Sequence, residues 1–466
     1  MIVLFFISSC SQISNAPIDE KLQESVIPEV TEKVPAQTDI TEPEPRASLV
    51  MLKYEAFSNI SANETAAYFL RIIPERHLVK FQPEVIQQNY EFFAYGFLMA
   101  YMTDFETAIT RPLCGIADCA HDTPECMAWI KSNHANISLF AAKDRLFWIS
   151  NDYRGAVYIG LEPNVYYMEE EFPFIDVSDL DGANRSRLYT AGKNDRFYDS
   201  CLLYDGDNLY FCENLKVLGT HSRTLIAVDI ETGNIKGSHF LQATEDDGSL
   251  IRVAGIYNNE PLFVHNTYTR NGAAPYSVMA PVDSRVFSVD PSSGLRTDYL
   301  SYRYNPDDSR WLSGYIWTGS SFIEEDHENF EFIEIDINGT ERVILTMPDD
   351  SEFMPQIWEL YGSKLLLFYP SPADPYYLDI ETGILSEYTL TRRGILGDLW
   401  PLQIVADVGT EYLVITGATQ NFISGHPAEY YDTVSGWGGS RYTYGMISKE
   451  DFWNEVSAYR EVILKI

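Results

Sequence analysis

LIAVDIETGNIKGSHFL, Leu225 to Leu241, reads as an apolar run, an Asp, a short Gly turn and a second apolar run. The same order returns in FIDVSDLDGANRSRLYT (Phe174 to Thr190), VFSVDPSSGLRTDYL (Val286 to Leu300), FIEIDINGTERVILT (Phe332 to Thr346) and PYYLDIETGILSEYTL (Pro375 to Leu390). A weaker copy, YMTDFETAITRPL (Tyr101 to Leu113), carries Ala108 where the others have Gly. Each copy is a β-hairpin by its chemistry: the Asp oxygen bonds amides within the turn, and Gly accepts the positive φ of a tight reversal.

The turn glycines Gly182, Gly233, Gly294, Gly339 and Gly383 are spaced by 51, 61, 45 and 44 residues, the period of a four-stranded propeller blade with its loops. Upstream of most hairpins lies a second pair of strand-like runs, such as CLLYDGDNLYFC (Cys201 to Cys212) and IWELYGSKLLLFYP (Ile357 to Pro370). Runs without alternation, Leu365 to Tyr369 for example, suit sheets covered on both faces. One sheet cannot hide both its faces, so the units must stack, and closing the stack into a ring protects the end sheets. The expected fold is therefore all-β, a β-propeller. Six hairpins plus a final sheet from Leu402 to Ile466 give seven blades, with six or eight as the alternatives, and Arg460 to Ile466 is expected to join the first sheet.

The N-terminus reads differently. MIVLFFISSC (Met1 to Cys10) is a short apolar run ending in Ile-Ser-Ser-Cys, the order of a bacterial lipobox, in which Cys10 takes the lipid. With no positive residue ahead of the run, the start is expected to lie inside a longer signal peptide. Residues 11–48, acidic and Pro-rich with few large apolar groups, read as a disordered tether. Residues 49–88 read as an N-terminal extension of unassigned structure, and 89–466 as the propeller. These features predict an exported monomer on the outer face of the cytoplasmic membrane, held there through the lipid alone.

Composition narrows the partners. The 466 residues include 68 acidic and 33 basic side chains, a formal charge of −35. Phosphate backbones are repelled by such a surface, so nucleic acid is excluded as a partner, and an anionic bilayer surface is disfavoured.

LCGIADCAHDTPECMAW (Leu113 to Trp129) holds Cys114, Cys119, His121 and Cys126. Thiolate and imidazole are the ligands of structural zinc, and Cys119 and His121 share one side of extended backbone. In Cys201 to Cys212 a turn at residues 205–208 places the two cysteines opposite each other, at a spacing a cross-strand disulfide spans. If that pair is bridged and Cys10 lipidated, an odd three thiols remain. Three readings stay open for them: a Cys3His metal site, one disulfide and a leftover thiol, or neither.

Leu113–Cys114, Cys119-x-His121 and Cys126-x-Ala128 resemble the LC-x-x-P-x-C-x-H…C-x-A pattern of a family of β-propeller lipoproteins from Gram-positive anaerobic bacteria, and GMISKEDFWN (Gly445 to Asn454) resembles that family's ending. Ala117 stands where the family usually has Pro. The family has no settled activity, so the resemblance implies fold and address rather than function.

For function, no Gly-x-Ser-x-Gly elbow, His-Glu-x-x-His pair or phosphate loop is present. Gln420 to Gly445 carries Tyr430, Tyr431, Trp437, Arg441 and Tyr442 among glycines, a composition that stacks on sugar faces or grips peptide, with packing of the last blade as the plain alternative. Asp176, Asp179, Asp181 and Asn184 read as a hairpin turn rather than a calcium loop, and Glu324 to His327 as a solvated turn. The expected function is extracellular recognition of a carbohydrate or peptide. Its competitors are a glycan-processing enzyme using acidic residues at the ring axis and a structural envelope protein.

Overall fold

The computed structural model describes residues 48–464, apart from 54–59, 73–96, 122–125, 132–136, 152–156, 160–165, 169–171, 194, 218–219, 246–248, 272–277, 304–314, 328, 349–350, 352–353, 369–374, 394–398 and 421–439. The description concerns the unit of residues 47–466. Calls on Cys10, Tyr430, Tyr431 and Trp437 fall outside the described residues.

The repeat is a blade. In the second blade Ile137–Ala141, Arg145–Ser150, Phe174–Asp179 and Ser186–Thr190 pair antiparallel in chain order. The third runs Asp195–Tyr204, Asn208–Val217, Thr220–Asp229 and Ile235–Glu245; the fourth runs Ser249–Tyr257, Glu260–Asn271, Val278–Val289 and Arg296–Arg303. Tyr315–Trp317 through Glu341–Thr346 make the fifth, Gln356–Tyr361 through Ile384–Glu387 the sixth, and Gln403–Val408, Glu411–Gln420, Ser440–Ser448 and Tyr459–Glu461 the seventh. Each repeated Asp–Gly hairpin joins third strand to fourth. At Gly233, φ is +69°, while Asp229 Oδ1 accepts from both the amide and the hydroxyl of Thr232. Ala108 adopts φ +54° at the equivalent place, which makes the weak copy a hairpin of the same kind.

Closure follows from where the core lies. Apolar side chains gather between blades rather than inside them, with Phe263 and Phe287 between the third and fourth and Leu365, Leu367 and Leu378 between the fifth and sixth. An open row of seven sheets has six such interfaces; this chain has seven, because Met99, Tyr101 and Phe69 of the first blade pack with Leu413, Ile415 and Met446 of the last. The fold is a seven-bladed β-propeller. Each fully buried large side chain, such as Trp148 or Phe332, contributes about 2 to 3 kcal/mol of apolar transfer.

The ring begins earlier than expected. Ile60–Ala62 and Ala66–Ile72 are the first two strands of the first blade and pair onward to Phe97–Asp104, so the boundary at residue 89 is corrected to Ile60. The pattern was hard to read because this pair lacks an Asp–Gly turn; Asn63 Oδ1 takes the amides of Thr65 and Ala66 instead. Val50–Lys53, also assigned to the extension, adds to the inner edge of the third blade, with Val50 opposite Tyr204 and Lys53 opposite Cys201. It lies beside the innermost strands of the first, second and fourth blades, which puts it on the axis. Leu52 and Leu49 are buried in the clusters on either side of the third blade.

The last residues close the circle. After Tyr459–Glu461 the chain crosses to the first blade, where Ile463–Leu464 pair parallel with Ile109 and Thr110; the expected joining of Arg460 to Ile466 is corrected to these last residues, since Arg460 and Glu461 pair in the seventh blade. Arg460 donates to the carbonyls of Phe105 and Glu106 in the first blade and to Glu411 in the seventh.

Candidate metal centre

The fourth strand of the first blade is split. Ala100 of the third strand accepts from the amide of Leu113 and donates to the carbonyl of Ala128, so one residue holds both lips of the split. Ile109–Pro112 forms one half of the strand and Trp129–Lys131 the other. The chain between them carries all four candidate ligands.

Local bonds turn this excursion inward. The amide of Cys114 donates to Pro112, that of Cys119 to Ile116, and that of Trp129 to Cys126, while the Trp129 indole donates to the carbonyl of His121 at 3.0 Å. Asp118 and His121 lie at φ +56° and +55°. The pair Cys119 and His121 therefore converges through left-handed turns, not through the extended backbone assumed from spacing. Gly115 closely approaches the second blade's turn, where a Cβ would sit 2.6 Å from the Asp181 carboxylate and push that side chain aside. A cavity of about 580 Å3 opens beside this contact, lined by Tyr68, Met102, Asp104, Arg111, Leu180 and Asp181 among others.

The ligand atoms of Cys114, Cys119, His121 and Cys126 all lie within 4.8 Å of one another, and His121 Nδ1 is 3.3 Å from Cys126 Sγ. Zinc bonds of about 2.3 Å to sulfur set tetrahedral sulfurs about 3.8 Å apart, so the set fits a metal after sub-ångström to ångström shifts. All three cysteines are thiols rather than disulfides in the structure. Cys126 is buried and the others half-buried.

Electrostatics divide the thiols. Burial works against ionising Cys114, but the amides of Ile116 and Met127, with the Cys126 and Cys119 thiols, outweigh it and bring its pKa below the ordinary value. Burial pushes the Cys126 thiol far up, with Cys114 and Cys119 adding to the rise and only the Ala128 amide opposing it. Each of these two sulfurs thus accepts from the amide two residues ahead, a knuckle geometry that favours thiolate. A divalent cation held by these residues would supply the missing positive charge. Sequence reasoning found the ligands but not these amides or the Trp129 clamp, because backbone donors leave no side-chain signature.

Other expected sites fare differently. The turn at residues 205–208 forms and Leu203 faces Tyr210, but the ladder then slips, so Cys212 is paired with Tyr198 and Cys201 with Lys53 of the axial strand. The expected direct opposition of the cysteines is corrected to this bulged register; the Cys201 side chain lies outside the described residues. Arg441 belongs to Ser440–Ser448, its side chain likewise outside the description. Tyr442 is half-buried against the cluster between the last and first blades, with the Arg392 guanidinium 5.8 Å from its ring. Asp176 is taken by Arg185 and Arg187, and Asp179 by Asn184, in keeping with a hairpin. Glu324 to Asp326, read as a solvated turn, is instead strand: Glu324 and Asp326 are buried, and Asn329 donates twice to Asp326.

No protein-family model and no curated protein matches the chain. Among solved structures it is similar to an oligogalacturonate lyase in complex with manganese, at 11% identity over 88% of this chain and 99% of that one with a TM-score of 0.42. It is also similar to a puromycin-hydrolysing peptidase of Mycobacterium tuberculosis, at 10% identity, 90% and 56% coverage and a TM-score of 0.46, and to TolB from Acinetobacter baumannii, at 13% identity, 76% and 74% coverage and a TM-score of 0.31. The identities and TM-scores are low throughout, and activity is not carried over from any of the three.

Proposed function

We propose that this chain is an exported, lipid-anchored recognition propeller, its first blade clamped by zinc at Cys114, Cys119, His121 and Cys126, and its ligand a carbohydrate or a peptide. The observation that carries recognition over catalysis is the strand Val50–Lys53 on the axis, the place where an axial pair of carboxylates would work. Of the acidic side chains described on the innermost strands, Asp195 accepts from the amide of Gly192, Glu359 from Tyr361, and Asp407 pairs with Lys449. They belong to the third, sixth and seventh blades and each has its own local partner, so among the described residues of these strands no general acid and base converge.

Address rests on the MIVLFFISSC run and its Cys10, and on the tether-like composition that follows. The four-ligand geometry supports zinc, with a structural role, since four protein donors would fill a tetrahedral ion's positions and leave none for substrate. Glycan and peptide arrays probed with the full purified chain, and read for both retention and product release, test the reading. Retention without cleavage is expected; release of shortened glycan would replace the binder with the enzyme.

A further inference from the structure

We propose that the Cys3His centre is the lock on the ring's closing seam, so that metal occupancy controls docking of the C-terminal strap. This rests on the reading of the cluster as a metal site.

The centre stands where three parts meet. Cys114 and Cys126 sit at the two lips of the split strand, one residue beyond Leu113 and two before Ala128, the residues that Ala100 holds. Cys126 belongs to the apolar cluster shared by the first and seventh blades, and Cys114 and Cys119 pack against that cluster together with Val462 and Leu464 of the strap. The strap itself pairs with Ile109 and Thr110, on the half-strand that leads straight into Cys114. Ile463 donates to the carbonyl of Ala108, and Val462 to Tyr444 in the last blade.

The mechanics follow from this arrangement. The half-strand Ile109–Pro112 is four residues long, paired with Tyr101 to Asp104 on one side and offering its other side to the strap. An ion bound to both lips makes the two halves act as one edge and holds that partner in place. Without the ion, the lips are tied by the backbone hydrogen bonds at Ala100, and the strap's template is held less firmly. Among the described residues, this interface joins segments from opposite ends of the ring, and the covalent tie between its two sheets is the strap itself, through Val462. A lock has most effect there. Coupling between ion and strap is reciprocal by thermodynamic necessity: whatever factor the ion adds to docking, docking adds to ion affinity.

Amide hydrogen exchange on the full chain, loaded with zinc and then stripped with a chelator, tests the proposal, alongside zinc titration of Arg460→Ala, which loosens the strap without touching a ligand. Chelation is expected to speed exchange at Val462 and Ile463 tenfold or more while Phe263 and Phe287 in the fourth blade stay unchanged, and Arg460→Ala is expected to weaken zinc binding severalfold. If zinc binds stoichiometrically but the change is confined to residues 113–131 and Arg460→Ala binds as the parent does, the lock is wrong and the metal site stands. If the parent binds no metal at all, both fall together.

Discussion

Removing the axial strand's one deep anchor is a sharp test of the architecture, because burial differs so strongly along it. Leu52 is 5% exposed, packed with Phe140 and Phe147 of the second blade and Phe197 and Leu202 of the third, whereas Val50, two residues earlier on the same strand, is 49% exposed. Leu52→Ala deletes buried methyl groups and leaves a void, which in tight cores costs about 2 to 5 kcal/mol. The strand is only four residues long and paired on one edge, so partial collapse keeps the loss near the low end, about 2.5 kcal/mol. For a unit of 420 residues, with an unfolding entropy of about 2.1 cal/mol/K per residue, that loss lowers the melting midpoint by about 3 °C. Val50→Ala should change stability by no more than about 0.5 kcal/mol, as exposed substitutions do. Paired thermal scans of the parent and the two variants read the difference directly. Equal effects from the two substitutions, or none from Leu52→Ala, would remove the strand from the axis and with it the main argument against axial catalysis.

Cross-linking through the metal has a calculable worth. Cys114 to Cys126 spans 13 residues, and closing such a loop in the unfolded chain is worth about 3 kcal/mol; Cys119→Ser, which leaves the buried Cys126 intact, should lose that zinc-dependent increment, and a parent whose melting is indifferent to chelator would refute it. His265 is buried and its pKa is pushed down to about 4, first by burial, with Asp283 opposing and Arg285, Arg296 and Arg223 adding to the fall. Its unfolded form takes a proton below about pH 6.5 while the folded form resists, so its contribution is whole above that pH and lost as pH falls towards 4. His265→Gln should flatten the stability slope across this window, and an unchanged slope in denaturant titrations would assign it elsewhere. Mass spectrometry of the mature N-terminus should find a lipid on Cys10, and an unmodified Met1 would count against anchoring.

How far the sequence spoke follows from how local each signal is. Asp and Gly in the third-to-fourth turns act within four residues, so the repeat and the blade count were legible from Leu225 to Leu241 outward. Ile60 to Ile72 was not, because its turn uses Asn63 in place of the Asp–Gly pair. Val50–Lys53 has no pattern to read: its partner lies some 150 residues away at Cys201 to Tyr204, and four apolar-leaning residues carry no period. The same strand occupies the inner edge at Lys53 opposite Cys201, beside the slip that takes Cys212 to Tyr198, an event no spacing rule anticipates. Glu324 to Asp326 misled because charge was taken as exposure, whereas Asp326 is satisfied by Asn329 and Glu325 accepts from the amide of Ile357. The four metal-site side chains were visible as residue types; the turns that bring them together, at Asp118 and His121, were not.

X-ray absorption at the zinc edge, on protein purified without added chelator, reaches the central claim most directly. One zinc per chain, with three sulfurs at about 2.3 Å and one nitrogen at about 2.0 Å, is the result expected of Cys114, Cys119, Cys126 and His121. A chain without metal, or an ion surrounded by oxygen and nitrogen alone, would contradict it.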